Sequence, residues 1–131
     1  VNPDNGRIRV LRAVASADVG HIVSPDGVSN QIEGGLVQGL SWTLKEEVQM
    51  DDTQILSQDW NSYPILEIKD TPESIDIVLI NRPEAPPTGA GEATCRVVPA
   101  AIANAFFDAT GVRMRQAPLN PARIKTVLSK T

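Results

Sequence analysis

One stretch, which combines a regular apolar row with three glycines in the interior of a predicted helix, constrains the fold of this chain more than any other. Within SPDGVSNQIEGGLVQGLSWTLKEEV the apolar residues recur at every fourth position, namely Val28, Ile32, Leu36 and Leu40. This spacing predicts one face of an α-helix, with Ser24 as the N-cap and Pro25 at the first helical position. Each of Gly34, Gly35 and Gly39 costs a helix about 1 kcal/mol relative to alanine. We therefore expect another backbone or a bound ligand to approach this helix closely.

The strand signals lie on both sides of that helix. RIRVLRAVASADV (residues 7–19) and SIDIVLI (residues 74–80) are rich in β-branched residues and partly alternate, which predicts two strands. Residues 46–60 resemble two more strands joined by an acidic turn at Asp51 and Asp52. The sequence therefore predicts a small sheet of several strands.

Two further helices are predicted after the strand at residues 74–80. VVPAAIANAFFDATG predicts a helix with Pro99 in its first turn and Gly111 as its C-terminal stop. Asn120 and Pro121 begin a short third helix. The predicted fold class is α+β, a small mixed sheet packed with two main helices and a short C-terminal helix, in a single domain over residues 1–131.

Charge and cysteine content exclude several classes of function. The net charge is −4 and no run of Lys or Arg occurs, which disfavours nucleic-acid binding. Cys95 is the single cysteine and His21 the single histidine, so neither a disulfide framework nor a cysteine or histidine metal cluster is expected, and no metal ligand is assigned. No apolar run approaches the ~20 residues of a membrane span. The compartment, cytoplasm or periplasm, stays open.

A carboxylate behind a glycine pair is the main candidate for chemistry. In PPTGAGEATCRVV, Glu92 directly follows Gly89-Ala90-Gly91, whose backbone can approach another surface closely. An acid held there near apolar residues could act as a general base, whereas the more common interpretation of such a short pattern is a solvated loop glutamate. A dinucleotide-binding loop is excluded because the third glycine and a preceding strand are missing, and the Gly-Lys-Ser/Thr of a P-loop is absent.

Two glutamines accompany the glycines of the first predicted helix. Gln31 and Gln38 are seven residues apart and share nearly one face. Their amides offer donors and acceptors that suit a polar heterocycle or a phosphate, although exposed helix glutamines have the same spacing. The pattern by itself leaves both interpretations open.

Taken together, ADVGHIVSPDGVSNQIEGGLVQGLSWTLKEEV and PPTGAGEA…VVPAAIANAFFDATGVRMRQAPLNPARI resemble the C-terminal part of the molybdenum-binding large subunit of the xanthine oxidase family. Within that family the sequence is most similar in character to the β-type subunits of isoquinoline 1-oxidoreductase and nicotinate dehydrogenase. The resemblance covers nearly the whole chain, and the combination of Gln-x-Glu-Gly-Gly with Gly-x-Gly-Glu is its specific part.

The resemblance implies roles for five residues. Glu92 corresponds to the general base of these enzymes, which takes a proton from a hydroxyl group held by molybdenum while the substrate carbon is oxidised. Gln31 matches the glutamine that contacts the pterin cofactor. The surrounding Gly34 and Gly35, with Gly91 of the loop, would then allow the cofactor to approach the backbone. The sequence departs from many family members after Glu92, where Ala93 stands in place of a loop-stiffening proline.

The resemblance also implies a set of partners. We expect a molybdopterin cofactor, in a cytosine dinucleotide form by analogy with bacterial relatives, held only in the full-length subunit. The rest of the large subunit, a small 2Fe-2S subunit and an N-heteroaromatic or aldehyde substrate would complete the enzyme. The family subunit is several times longer than 131 residues, so the chain is expected to be a C-terminal segment that is inactive alone. The alternative from a different class is a non-catalytic α+β binding or interaction module.

Overall fold

The computed structural model describes residues 1–129 as a parallel strand pair packed with three helices. In chain order the elements are β1 (Arg12–Asp18), α1 (Pro25–Leu44), a 3-10 turn (Ile68–Asp70), β2 (Ser74–Ile80), α2 (Val98–Thr110) and α3 (Pro121–Leu128). The predicted α+β class and all three predicted helices are confirmed.

The two strands lie side by side in the same direction. Their register runs from Arg12 opposite Ser74 to Asp18 opposite Ile80. A parallel pair needs a crossover connection, and α1 lies in that connection. β2 has the predicted bounds, whereas β1 begins at Arg12 instead of residue 7. The alternate residues of each strand are the more buried ones, so one face of the pair packs inward.

The prediction of two strands in residues 46–60 is wrong. Within this stretch the structure has a single isolated antiparallel bridge between Met50 and Ile55. The predicted acidic turn at Asp51 and Asp52 does form. The Asp51 carboxylate stabilises it by accepting hydrogen bonds from Thr53 and from the backbone N–H of Gln54. The apolar residues that suggested strands remain exposed, and Met50 keeps 67% of its surface. Alternating apolar and polar residues do not produce a sheet here, because no other part of the described structure packs against the apolar face.

The predicted helix ends are confirmed. The Ser24 Oγ accepts a hydrogen bond from the Gly27 N–H at 3.3 Å, and the Asn120 Oδ1 accepts one from the Arg123 N–H at 3.0 Å. Gly111 ends α2 with a φ of 72°, a left-handed conformation that glycine adopts without strain.

The core lies between α1, α2, α3 and the segment that joins α2 to α3. Its buried members are Leu36, Leu40, Val98, Ile102, Phe106, Met114, Leu119 and Ile124. Two of the three helix glycines are explained by this packing. A β-carbon at Gly39 would lie 2.8 Å from the Val98 Cβ, and one at Gly35 would lie 3.4 Å from the Thr94 Cβ. The expected close approach at these two positions is therefore made by protein.

Candidate functional site

The loop that carries Glu92 is joined to the start of α1 at the carboxyl ends of the two strands. The His21 N–H donates to the Ala85 carbonyl at 3.2 Å, and the Thr88 N–H donates to the Val19 carbonyl at 2.9 Å. The Ile22 N–H donates to the Asn81 Oδ1 at 3.0 Å. In open α/β arrangements, the carboxyl end of a parallel sheet is where ligands bind.

Gly20 makes this junction possible. Its φ is 74°, and a β-carbon there would lie 2.2 Å from the Pro86 carbonyl oxygen. Any residue with a β-carbon at this position would therefore push the 86–92 loop away from α1. Sequence reasoning gave Gly20 and Asn81 no role. The available signal was that each follows shortly after the last residue of a strand.

A turn over residues 92–97 rests on the glycine-bearing face of α1. The Glu92 carbonyl accepts hydrogen bonds from the Arg96 Nε at 3.2 Å and from the Cys95 Sγ at 3.4 Å. Thr94 and Cys95 are buried, and both approach Gly35. Cys95 is thus a small packing residue. The turn fixes the backbone of Glu92 beside the helix.

The structure brings some of the predicted site residues together. Gln31, Gly34, Gly91 and Glu92 are exposed, whereas Gly35 is buried. A β-carbon at Gly91 would lie 4.0 Å from the Gln31 Oε1, so the loop glycine and the helix glutamine are neighbours. On the helix, Gln31 is three residues before Gly34 and four before Gly35, so it lies on the same side of the helix as both.

The Glu92 side chain extends from this surface without a fixed partner. Among residues 1–129 no donor binds its carboxylate. The apolar surroundings that the sequence suggested for Glu92 are not supplied by this part of the chain, since Glu92 is exposed. The nearby cations are engaged elsewhere: Arg82 bonds Asp18 and Glu84, each at 3.2 Å, and the Arg96 Nε donates to the Glu92 carbonyl.

Two of the cavities in the described part of the chain border this region. A cleft of about 610 Å³ is lined by α1 residues that include Asn30, Gly34 and Gln38. A β-carbon at Gly34 would meet nothing within 4 Å, so the glycine opens this side of the helix. A larger groove of about 740 Å³ runs along β1, α1 and α2. Ala93 and Thr94 line the groove; Glu92 does not.

Two further features bear on the kind of site that residues 1–129 can form. No group of three His, Cys, Asp or Glu side chains in this range is arranged to hold a metal ion. None of its helices combines the length and apolar character required for crossing a bilayer.

Comparisons with known proteins assign the chain to a family. Residues 1–72 match the model of the molybdopterin cofactor-binding domain family. A nicotinate dehydrogenase subunit from Pseudomonas putida is 40% identical over 98% of this chain and 11% of that protein. The isoquinoline 1-oxidoreductase beta subunit from Brevundimonas diminuta is 34% identical over 92% of this chain and 15% of that protein. The chain belongs to the molybdopterin cofactor-binding domain family, within the molybdenum oxidoreductases of the xanthine oxidase family.

Solved structures agree with this assignment. The aldehyde oxidoreductase of Desulfovibrio gigas superposes with a TM-score of 0.85 at 32% identity, over 98% of this chain and 14% of that chain. The resemblance to the xanthine oxidase family that the sequence indicated is therefore confirmed. The chain spans between 11% and 16% of the length of the first curated relatives it matches.

Proposed function

We propose that this chain is the C-terminal part of the large subunit of a molybdenum hydroxylase, in which Glu92 acts as the general base. The observation that carries the proposal is the turn over residues 92–97, which rests on Gly35 and keeps the backbone of Glu92 beside the exposed Gln31. A base beside a cofactor-contacting amide is the arrangement that such chemistry needs.

Two features of the surface around Gln31 support a bound cofactor. A β-carbon at Gly34 or Gly89 would meet no atom within 4 Å, so both glycines leave open space where a side chain would otherwise stand. Gln31 adds an amide with a donor and an acceptor, which suits the polar edge of a pterin. We propose that Gln31, Gly34 and Gly91 contact molybdopterin. Gly35, which is buried under the turn, acts by holding the turn in place.

The cofactor, when bound, supplies the two-electron oxidation and the water-derived oxygen that the substrate carbon receives. The chain supplies the proton acceptor, because a Glu92 carboxylate oxygen takes up the proton released during that transfer. Its position depends on the hydrogen bonds that the Glu92 carbonyl accepts from the Arg96 and Cys95 side chains. These bonds, instead of a following proline, restrain the loop behind the base.

The complete enzyme is proposed to contain the partners that its relatives indicate. These are the rest of the large subunit, a small 2Fe-2S subunit and an N-heteroaromatic substrate, with aldehydes as the second substrate class. The relatives named above, for nicotinate, isoquinoline and aldehyde respectively, support both classes. The cofactor is proposed to be the cytosine dinucleotide form, and the chain by itself is expected to be inactive.

Replacement of the proposed base tests this function in the full-length subunit. Glu92→Gln keeps the size of the side chain and removes the proton acceptor, so kcat should fall by about 10²–10⁴-fold. Molybdenum content should stay near that of the unmodified enzyme. Glu73→Gln is the matched control, because Glu73 is also exposed but precedes β2, at the opposite end of the strands.

The outcomes separate the proposal from its alternative. Unchanged turnover in Glu92→Gln, in an enzyme that holds molybdenum, would refute the assignment of the base. A full-length protein without molybdenum or pterin would instead favour the non-catalytic interaction module. A loss of molybdenum in Glu92→Gln would show that the residue serves cofactor binding and would contradict a role confined to proton transfer.

A further inference from the structure

The groove along β1 has a floor and two walls, which differ in chemical character. Its floor is the apolar row of α1, where Ile32, Leu36 and Leu40 are each at most 5% exposed. One wall is α2 with its N-cap Val97, after which Ala101, Ala105 and Ala109 follow at intervals of four residues. The other wall is β1. The small side chains of α2 leave the groove about 740 Å³ in volume.

The β1 wall is an unpaired strand edge. Among residues 1–129, β1 pairs with β2 alone, so one side of its seven residues offers free backbone N–H and C=O groups. Such an edge is a template for an added strand, and folded proteins cover it. Val14, on β1 beside the groove, is 59% exposed, and a strand added to this edge would cover part of that apolar surface.

The charges that border the groove are already neutralised. Arg9, Arg12 and Asp18 belong to its lining. They pair with Glu73, Asp76 and Arg82 at 2.9, 2.7 and 3.2 Å. An occupant therefore meets an apolar floor, a wall of small residues and no unpaired charge, which selects an apolar segment over a charged one.

We propose that an extended, apolar segment from the remainder of the large subunit fills this groove and adds to the free edge of β1 as a strand. This inference rests on the proposed function, which supplies the remainder of the subunit. The relatives contain that chain, because a match over 98% of these residues covers only 11% of the nicotinate dehydrogenase subunit. A strand that pairs along all of β1 needs about seven residues, the length of β1 itself.

Cysteine footprinting tests the proposal without disturbing the fold. Ala101→Cys and Ala105→Cys place a thiol on the groove wall, and Ala100→Cys places one on α2 outside the groove. The native Cys95 is buried and serves as an internal reference. Each variant is labelled with N-ethylmaleimide, both in the 131-residue chain and in the full-length subunit, and the labelled peptides are identified by mass spectrometry.

In the full-length subunit, labelling at positions 101 and 105 should be at least about tenfold slower than in the chain alone, while position 100 keeps its rate. Hydrogen exchange on the unsubstituted proteins provides a second measurement, in which the β1 amides gain protection in the full-length subunit. Equal labelling at all three positions would overturn the proposal. So would equal protection at all three, since that places the interface on the outer surface of α2.

Three other outcomes identify different causes. If the chain alone forms a dimer in light scattering and already protects position 105, the occupant is a second copy and the proposal is wrong. If the full-length protein holds molybdenum but labels rapidly at position 105, the groove inference fails and the proposed function stands. If it holds no molybdenum, the proposed function fails, and the labelling still decides whether an intrachain segment fills the groove.

Discussion

Two alanine substitutions in α1 test whether the glycine face is packed as the structure has it. At Gly39, an added β-carbon would lie 2.8 Å from the Val98 Cβ and 3.2 Å from the Cys95 carbonyl oxygen. At Gly34, on the same helix, it would meet nothing within 4 Å. The two variants share the chemical change and the helix, so the difference between them reports the contact with the 94–98 segment.

The expected free-energy changes have opposite signs. Gly→Ala in a helix interior gains about 0.5–1 kcal/mol from backbone entropy, and Gly34→Ala should show this gain in full. Gly39→Ala receives the same gain but adds an overpacking cost of about 1–3 kcal/mol. Gly34→Ala should therefore be more stable than Gly39→Ala by about 1–3 kcal/mol. At about 4 °C per kcal/mol for a chain of this size, the melting temperatures should differ by about 4–12 °C.

Urea unfolding of the 131-residue chain measures the difference. Helicity by circular dichroism and tryptophan fluorescence, which reports Trp42 within α1 together with the exposed Trp60, provide two probes whose transitions should coincide. Equal stabilisation by both substitutions would refute the reasoning, because it would mean that the turn and the start of α2 do not rest on Gly39. Gly35→Ala, with its β-carbon 3.4 Å from the Thr94 Cβ, should fall between the two.

Two other perturbations follow from single contacts. Ser24→Ala removes the oxygen that accepts from the Gly27 N–H and should lower the unfolding free energy by about 1 kcal/mol, measured in urea, with no change in the m-value. The hydrogen bond from Lys45, 2.5 Å long, is the main cause that holds the pKa of Asp70 below its ordinary value of 3.8. Because the folded-state pKa is lowered, this carboxylate stabilises the fold above pH 3.8 and loses that contribution as pH falls through the lowered value. Asp70→Asn should therefore lose less stability than the unmodified chain between pH 5 and pH 2; an identical loss would contradict the linkage.

The elements that the sequence predicted well are those with local signals. Ser24, Pro25, Gly111 and Asn120 fix the helix ends through hydrogen bonds or backbone angles within three residues. These interactions depend little on the rest of the fold, so composition and spacing suffice to find them.

The errors arose where a signal depends on distant partners. Residues 46–60 alternate like strands, yet the described structure places no sheet edge beside them beyond the bridge from Met50 to Ile55. The role of Gly20 was likewise invisible, because it depends on the carbonyl of Pro86, 66 positions along the chain. Register between distant segments is a tertiary property that local patterns do not encode.

The glycines of α1 differ in whether the packing of the fold explains why they lack a side chain. Gly35 and Gly39 carry no side chain because Thr94 and Val98 occupy the space, which is a folding reason. Gly34 has no such reason: its missing side chain leaves open space on an exposed helix face, at a cost of about 1 kcal/mol relative to alanine. We propose that this open space serves the bound cofactor; the alternative is that it has no role. Gly34→Ala separates the two explanations, because it should stabilise the isolated chain and, if the cofactor lies there, lower the molybdenum content of the full-length enzyme.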